Sequence, residues 1–134
     1  MTQAPDQRPR LLLVDDEPTN LQVLRHVLQA DYRLLFATDG ARALQVAREQ
    51  LPQLILLDIM MPGMDGYEAT RAIRLSEKVD AADIPIIALT ANAFVEDAKA
   101  AHDAGMNAHL SKPLDFNKLK NILARIKKNG PVSL

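Results

Sequence analysis

The sequence predicts an α/β domain on a doubly wound, five-stranded parallel sheet of strand order 2-1-3-4-5, a (βα)5 arrangement. Apolar runs without alternation, such as Leu11–Val14 and Leu54–Leu57, read as strands covered on both faces. Between them lie segments whose apolar residues recur at three and four positions, the spacing of amphipathic helices. At 134 residues the chain fits one domain, large enough for a core without disulfides or structural metals. Strands alternating with helices imply parallel pairing, and right-handed crossovers with helices on both faces favour this order.

The elements follow in turn. Residues 1–9 are polar, hold two of the eight prolines and read as a disordered lead-in. Strand one is Leu11–Val14. Pro18 suits a first helical turn, and Leu21, Leu24, Val27 and Leu28 give a helix over 18–29. Tyr32–Ala37 is strand two. Asp39-Gly40 marks a turn, and Ala43, Leu44, Val46 and Ala47 carry a helix that stops before Pro52. Leu54–Leu57 is strand three, and a third helix starts after Gly66 and runs to Arg74. After a polar connection, Ile84–Leu89 is strand four, with Pro85 near its start, where a missing N–H costs least. Residues 93–104 are an alanine-rich helix that Gly105 is placed to end. Ala108–Ser111 is strand five. A last helix from Asp115 to about Lys128 buries Leu119, Ile122, Leu123 and Ile126 and carries Arg125, Lys127 and Lys128 in its final turn.

Composition narrows the function classes. The formal net charge is −1, so no overall field favours nucleic acid or an anionic membrane. No leader-like apolar segment opens the chain, and no apolar stretch approaches the ~18 residues of a membrane span, so no membrane association is expected. The absence of cysteine excludes disulfides and thiolate metal sites and is compatible with a reducing cytosol, so a cytoplasmic location is expected.

The chemistry gathers where strands end. In the predicted order strands one and three are neighbours, and ligands bind beyond the carboxyl ends at that switch point. Asp15 and Asp16 end strand one, Asp58 ends strand three, Thr90 follows strand four and Lys112 follows strand five. Each has an ordinary reading: Asp16 or Glu17 as a cap for the helix at Pro18, Asp58 as a turn residue, Thr90 as a cap, Lys112 as a solvated lysine. Co-location on one edge favours the functional reading. Two carboxylates about 4 Å apart repel by ~4 kcal/mol at an effective dielectric near 20, which calls for a proton or a cation. The donors are all oxygen, which favours Mg²⁺ over zinc. A carboxylate can accept a phosphoryl group as an acyl phosphate if a metal and a fixed ammonium, such as that of Lys112, neutralise the transferring oxygens. A hydroxyl such as that of Thr90 can then bond the new phosphoryl oxygen and draw its loop inward.

These residues resemble a known family. Val14-Asp-Asp-Glu-Pro18, Leu57-Asp-Ile-Met-Met-Pro-Gly-Met-Asp-Gly66, Ala88-Leu-Thr-Ala91 and Ser111-Lys-Pro113 are similar to the motifs of the receiver domain of two-component response regulators, over about residues 10–128. The resemblance implies the flavodoxin-like fold and assigns the phosphoacceptor to Asp58. It implies that Asp15 and Asp16 hold Mg²⁺, Asp16 more directly, with Asp58 and the backbone carbonyl of Met60. It makes Thr90 the switch hydroxyl and Lys112 the phosphoryl contact, and it implies a cis Lys112-Pro113 peptide. His109 stands where the family usually has tyrosine or phenylalanine, so it takes the second switch position. His26 and His102 have no partner that suggests ligation; Met60, Met61 and Met64 read as loop and gap-filling residues, with Met60 and Asn92 flanking the site where the phosphoryl lifetime is tuned.

Rival readings fit less well. A haloacid dehalogenase-type phosphotransfer enzyme would carry its nucleophile after strand one in Asp-x-Asp, where this chain has Asp-Asp-Glu-Pro, and it would need room for a cap domain. A flavin-binding module needs a phosphate loop after strand one, where this chain has three acids. The alternative kept is a receiver-like interaction module not regulated by phosphorylation. The resemblance implies a phosphorylation switch rather than an enzyme acting on a separate substrate. Its expected partners are a sensor histidine kinase or histidine phosphotransfer protein and an effector docked on the fourth helix, fifth strand and fifth helix, with homodimerisation on phosphorylation a further expectation. Residues 129–134 read as a tail or truncated linker, so no effector domain is expected within these 134 residues. The expected alternatives are a stand-alone relay protein or an N-terminal receiver separated from its output, whereas the Met1 start disfavours the C-terminal receiver of a hybrid kinase.

Overall fold

Because every central strand is covered on both faces, its side chains divide by parity between two cores. In the computed structural model, which describes residues 8–59, 61, 63–76, 84–90, 99, 102–111 and 115–129, Leu12, Val14, Ile55, Leu57, Ile86 and Ala88 form one core with Ala43, Val46, Ala47, Ala69 and Ile73. Leu11, Leu13, Leu54, Leu56, Ile87, Leu89 and Leu110 form the other, with Leu21, Leu24, Leu28, Leu119 and Leu123. Two buried faces explain why the strand sequences show no alternation.

The elements are β1 (Arg10–Val14), α1 (Pro18–Leu28), β2 (Arg33–Ala37), α2 (Gly40–Gln50), β3 (Leu54–Asp58), α3 (Gly66–Arg74), β4 (Ile86–Thr90), β5 (Ala108–Ser111) and a C-terminal helix, Phe116–Asn129. All four strand pairings are parallel, in the order β2-β1-β3-β4-β5 that the sequence predicts. α2 and α3 pack on one face, α1 and the C-terminal helix on the other. The predicted helix at 93–104 falls mainly outside the described residues. Residues 102–104 are helical, and Gly105 turns the chain with φ 102° while its N–H donates to His102 O at 3.0 Å. Among the described residues no helix is long and apolar enough to cross a membrane.

The helix starts follow local chemistry. Asp39 caps α2 by accepting from Arg42 N–H at 2.7 Å, and Asp65 caps α3 by accepting from Glu68 N–H at 2.9 Å. Asp115 does the same for the C-terminal helix, accepting from Asn117 N–H at 3.0 Å and Lys118 N–H at 3.1 Å. α2 ends on Leu51 in the left-handed region, φ 50°, because Pro52 disfavours helical backbone at the residue before it. Strand four begins two residues later than the sequence suggests. Pro85 precedes the ladder, and its carbonyl accepts from Ile55 N–H at 2.9 Å. Arg8 and Pro9, the end of the lead-in, are tied to the α1–β2 corner: Arg33 N–H donates to Pro9 O at 2.9 Å, and Arg8 Nη1 donates to Gln29 O.

Candidate functional site

Val14 and Leu57 are register partners in β1 and β3, so Asp15 and Asp58, each one step further on, emerge side by side. Asp16 joins them from the turn into α1. One carboxylate oxygen of each lies within 4.8 Å of the others, and this is the only group of acids or histidines so disposed among the described residues. Asp15 is 1% exposed and Asp58 3%, while Asp16 is half-buried. Like charges packed this closely with little water to screen them fit a small, hard cation bound by oxygen donors.

The turn that carries the acid pair is fixed locally. Asp15 Oδ1 accepts from Glu17 N–H at 2.9 Å, its Oδ2 accepts from Asn20 Nδ2 at 3.3 Å, and Asp15 N–H donates to Ala37 O at 3.2 Å. The N-cap position of α1 is Glu17, which makes no side-chain cap bond, so the capping reading of these acids finds no support. Asn20 escapes sequence reasoning. Its only signal is a carboxamide in the first turn of a helix entered from an acid pair.

Asp58 closes β3 and is followed by a short, anchored loop. Ile59 N–H donates to Leu89 O at 3.0 Å, and Gly66 N–H donates to Ile59 O at 3.0 Å, closing the loop onto its own start. Ile59 and Met61 are buried beneath it, and Thr70 Oγ1, itself buried, donates to Gly66 O at 2.8 Å. The methionine that this loop contributes at 61 is therefore a packing residue, as its spacing around proline and glycine suggests.

Thr90 ends β4 on the same sheet edge, buried, one residue beyond the Asp58–Leu89 register pair. Its own partner is Ser111 at the end of β5, and Ala88 pairs with His109. Alternation along both strands puts His109 on the same sheet face as Thr90, half-buried. Asp15, Asp16, Asp58 and Thr90 are thus brought to one edge, with His109 two residues short of it on β5. Met60, Asn92, Lys112 and Pro113, including the expected cis peptide, lie outside the described residues. His26 and His102 are exposed and do not join the acid group.

Comparison with known proteins agrees with this geometry. Among solved structures, the receiver domain of the sensor histidine kinase PA1611 from Pseudomonas aeruginosa PAO1 is 41% identical, with a TM-score of 0.79, over 88% of this chain and 96% of that one. That domain was crystallised with a magnesium ion coordinated in its active-site cleft. The sensor protein GacS of Pseudomonas syringae pv. syringae is 34% identical over 87% of this chain but only 13% of its own length. The DNA-binding dual master transcriptional regulator RpaA of Synechocystis sp. is 34% identical over 89% of this chain and 48% of its own length. The chain therefore spans from about an eighth to about half of these curated relatives. The model of the response regulator receiver domain matches residues 11–124, which takes in every described element apart from Arg10 of β1 and residues 125–129 of the C-terminal helix, and this chain belongs to that family.

Proposed function

We propose that this receiver domain is a phosphorylation-controlled switch that accepts a phosphoryl group on Asp58. The observation that carries the reading is the convergence of Asp15, Asp16 and Asp58 within 4.8 Å on the sheet edge where Thr90 also ends its strand. Asp58 is the acceptor, since it terminates the central strand between the acid pair and Thr90. Its carboxylate oxygen attacks the phosphorus of a phosphohistidine on a partner protein. An O–P bond forms as the P–N bond breaks, and the imidazole leaves with the bonding electrons and takes up a proton. Slow attack by water on the acyl phosphate returns the carboxylate and inorganic phosphate.

The three carboxylates fit Mg²⁺ in donor type and spacing: Asp15, Asp16 and Asp58 would hold it with the Met60 carbonyl, Asp16 more directly than Asp15, which also fixes the turn. Bound there, Mg²⁺ supplies the positive charge that lets the carboxylates sit together and that offsets charge on the transferring phosphoryl oxygens. Asn20 holds Asp15 in place. Lys112 contributes an ammonium to the phosphoryl group, and the Thr90 hydroxyl donates to a phosphoryl oxygen, which draws the segment after β4 toward Asp58. The register of Thr90 with Ser111 supports β5 as the route outward, with His109 following Thr90 on the same face. The fourth-helix, fifth-strand and fifth-helix surface then presents the phosphorylation state to an effector or to a second copy. The donor is a sensor histidine kinase or a histidine phosphotransfer protein, and the signalling unit spans residues 10–128.

Intact mass after incubation with phosphoramidate or acetyl phosphate tests the reading. One added phosphoryl group that requires Mg²⁺ and disappears in Asp58→Asn is expected. No adduct with these donors or with phosphorylated kinase and phosphotransfer partners would favour an interaction module that phosphorylation does not regulate.

A further inference from the structure

We infer, building on the assignment of Asp58 as acceptor, that Gly66 and Gly40 are positioning residues that set the Asp58 carboxylate by clamping the loop 59–66. At Gly66 the contact is backbone against backbone. A Cβ there would lie 2.7 Å from Ile59 Cα, 2.8 Å from Asp58 O and 3.2 Å from Ile59 N. None of these atoms can rotate away, and the Asp58–Ile59 peptide is pinned to β4 through the 3.0 Å bond from Ile59 N–H to Leu89 O. α3 is equally fixed, by buried Ala69, Thr70 and Ile73. A methyl group at 66 must therefore break the peptide from β4 or lift the start of α3, and either motion moves Asp58 relative to Asp15 and Asp16.

Gly40 holds the same loop from α2. A Cβ at 40 would lie 2.7 Å from Met64 O, 2.8 Å from Met64 Cγ and 2.9 Å from Met64 Cβ. The flexible side chain can yield, but the carbonyl belongs to the loop itself, two residues before Gly66. Substitution at 40 thus acts in the same direction as at 66 and more weakly. Gly63 in the same loop provides the contrast: nothing lies within 4 Å of its Cβ position, and only its φ of 73° is restrictive. Asparagine tolerates that left-handed region.

The test uses the full chain and four variants: Gly66→Ala, Gly40→Ala, Gly63→Asn and Asp65→Ala. The last removes the cap of α3 without a clash at Asp58 and so calibrates the effect of lost stability. Each is measured by thermal melting, by Mg²⁺ titration followed by NMR and by the rate of phosphoryl addition from phosphoramidate. Misplacement of a reacting group slows Gly66→Ala on the order of 10- to 100-fold and weakens its Mg²⁺ binding, with a smaller loss in Gly40→Ala. Gly63→Asn and Asp65→Ala keep the rate and Mg²⁺ affinity of the wild type. A folded Gly66→Ala that reacts and binds Mg²⁺ normally would overturn the inference, as would losses in Asp65→Ala as large as those in Gly66→Ala. If Gly66→Ala does not fold, Gly40→Ala decides by the same criteria. A wild type that takes up no phosphoryl group from phosphoramidate or from phosphorylated kinase and phosphotransfer partners would instead sink the acceptor assignment, and the Mg²⁺ titration, which needs no phosphodonor, would still decide the positioning role.

Discussion

At the carboxyl ends of β1 and β3 three carboxylates each bring an oxygen within 4.8 Å of the others, whereas at the amino ends of the sheet Arg10, Arg33 and Arg74 donate to backbone carbonyls. Arg74 reaches from the end of α3 to Gly105 O through Nε at 3.0 Å and Nη2 at 2.7 Å, to Ile84 O through Nη1 at 2.6 Å, and to Asn107 Oδ1 at 2.9 Å. That Asn107 oxygen also accepts from Ile86 N–H at 2.9 Å, so one guanidinium ties α3 to the starts of β4 and β5. Arg10 donates twice to Leu51 O, at 3.0 and 2.8 Å, and stops α2 against β1. One edge is thus a frame in which arginine donors meet backbone carbonyls, and the other concentrates like charge whose spacing fits a small cation. The proposed function puts the chemistry at the second and leaves the first to hold the fold.

Substitutions can break this division. Asp58→Asn is expected to abolish phosphoryl uptake by intact mass while leaving the thermal midpoint unchanged or higher, since it removes one of three crowded charges. Arg74→Met does the reverse. It leaves the carbonyls of Gly105 and Ile84 without their guanidinium donors, which costs about 2–3 kcal/mol in urea melts of unchanged slope, while the folded fraction still takes up phosphate. Asn20→Ala removes the carboxamide donor to Asp15 Oδ2 at the acid edge, so Mg²⁺ affinity in an NMR titration falls about tenfold, the lower end of what lost supporting bonds cost, with stability within ~0.5 kcal/mol.

The smallest effect belongs to Tyr32, at the amino-end corner before β2. Burial first, and then the charge of Asp31, raise its pKa above the ordinary value of 10.0. The folded state therefore keeps the phenol proton at a pH where the unfolded chain loses it. Its contribution is intact below the unfolded pKa and is lost as pH rises through the folded one. Melting midpoints of the wild type are expected to fall more steeply above pH ~10 than those of Tyr32→Phe.

The sequence is legible wherever one residue type has one physical meaning in its position. Leu11–Val14 and Leu54–Leu57 could only be doubly covered strands once helices of the right period flanked them, and the strand order then placed Asp15, Asp16 and Asp58 together. Gly105 marked a helix end for the same reason, since its φ of 102° suits little else. Arg74 could not be read this way, because its acceptors, at Ile84 and at Gly105–Asn107, come from two separate segments that meet only in the folded sheet. The close approach of Gly66 to Asp58 is likewise a product of packing between elements, whereas Asn20 is a local partner whose carboxamide alone does not announce a bond to Asp15. Leu51 in a left-handed conformation runs against its own preference and is imposed by Pro52 behind it, with its carbonyl taken by Arg10.

The most direct measurement of the switch is a pair of amide NMR spectra of the full chain with Mg²⁺, before and after addition of phosphoramidate, for the wild type and Asp58→Asn. The account predicts phosphodonor-dependent shifts at residues 58, 59 and 90 that extend to 109 and 111 on β5. Arg10, Leu51 and Arg74 at the opposite edge should hold their positions, and the variant should show no donor-dependent change. Equal shifts in Asp58→Asn, or a wild type that acquires the phosphoryl group with no change at Thr90 or His109, would contradict it.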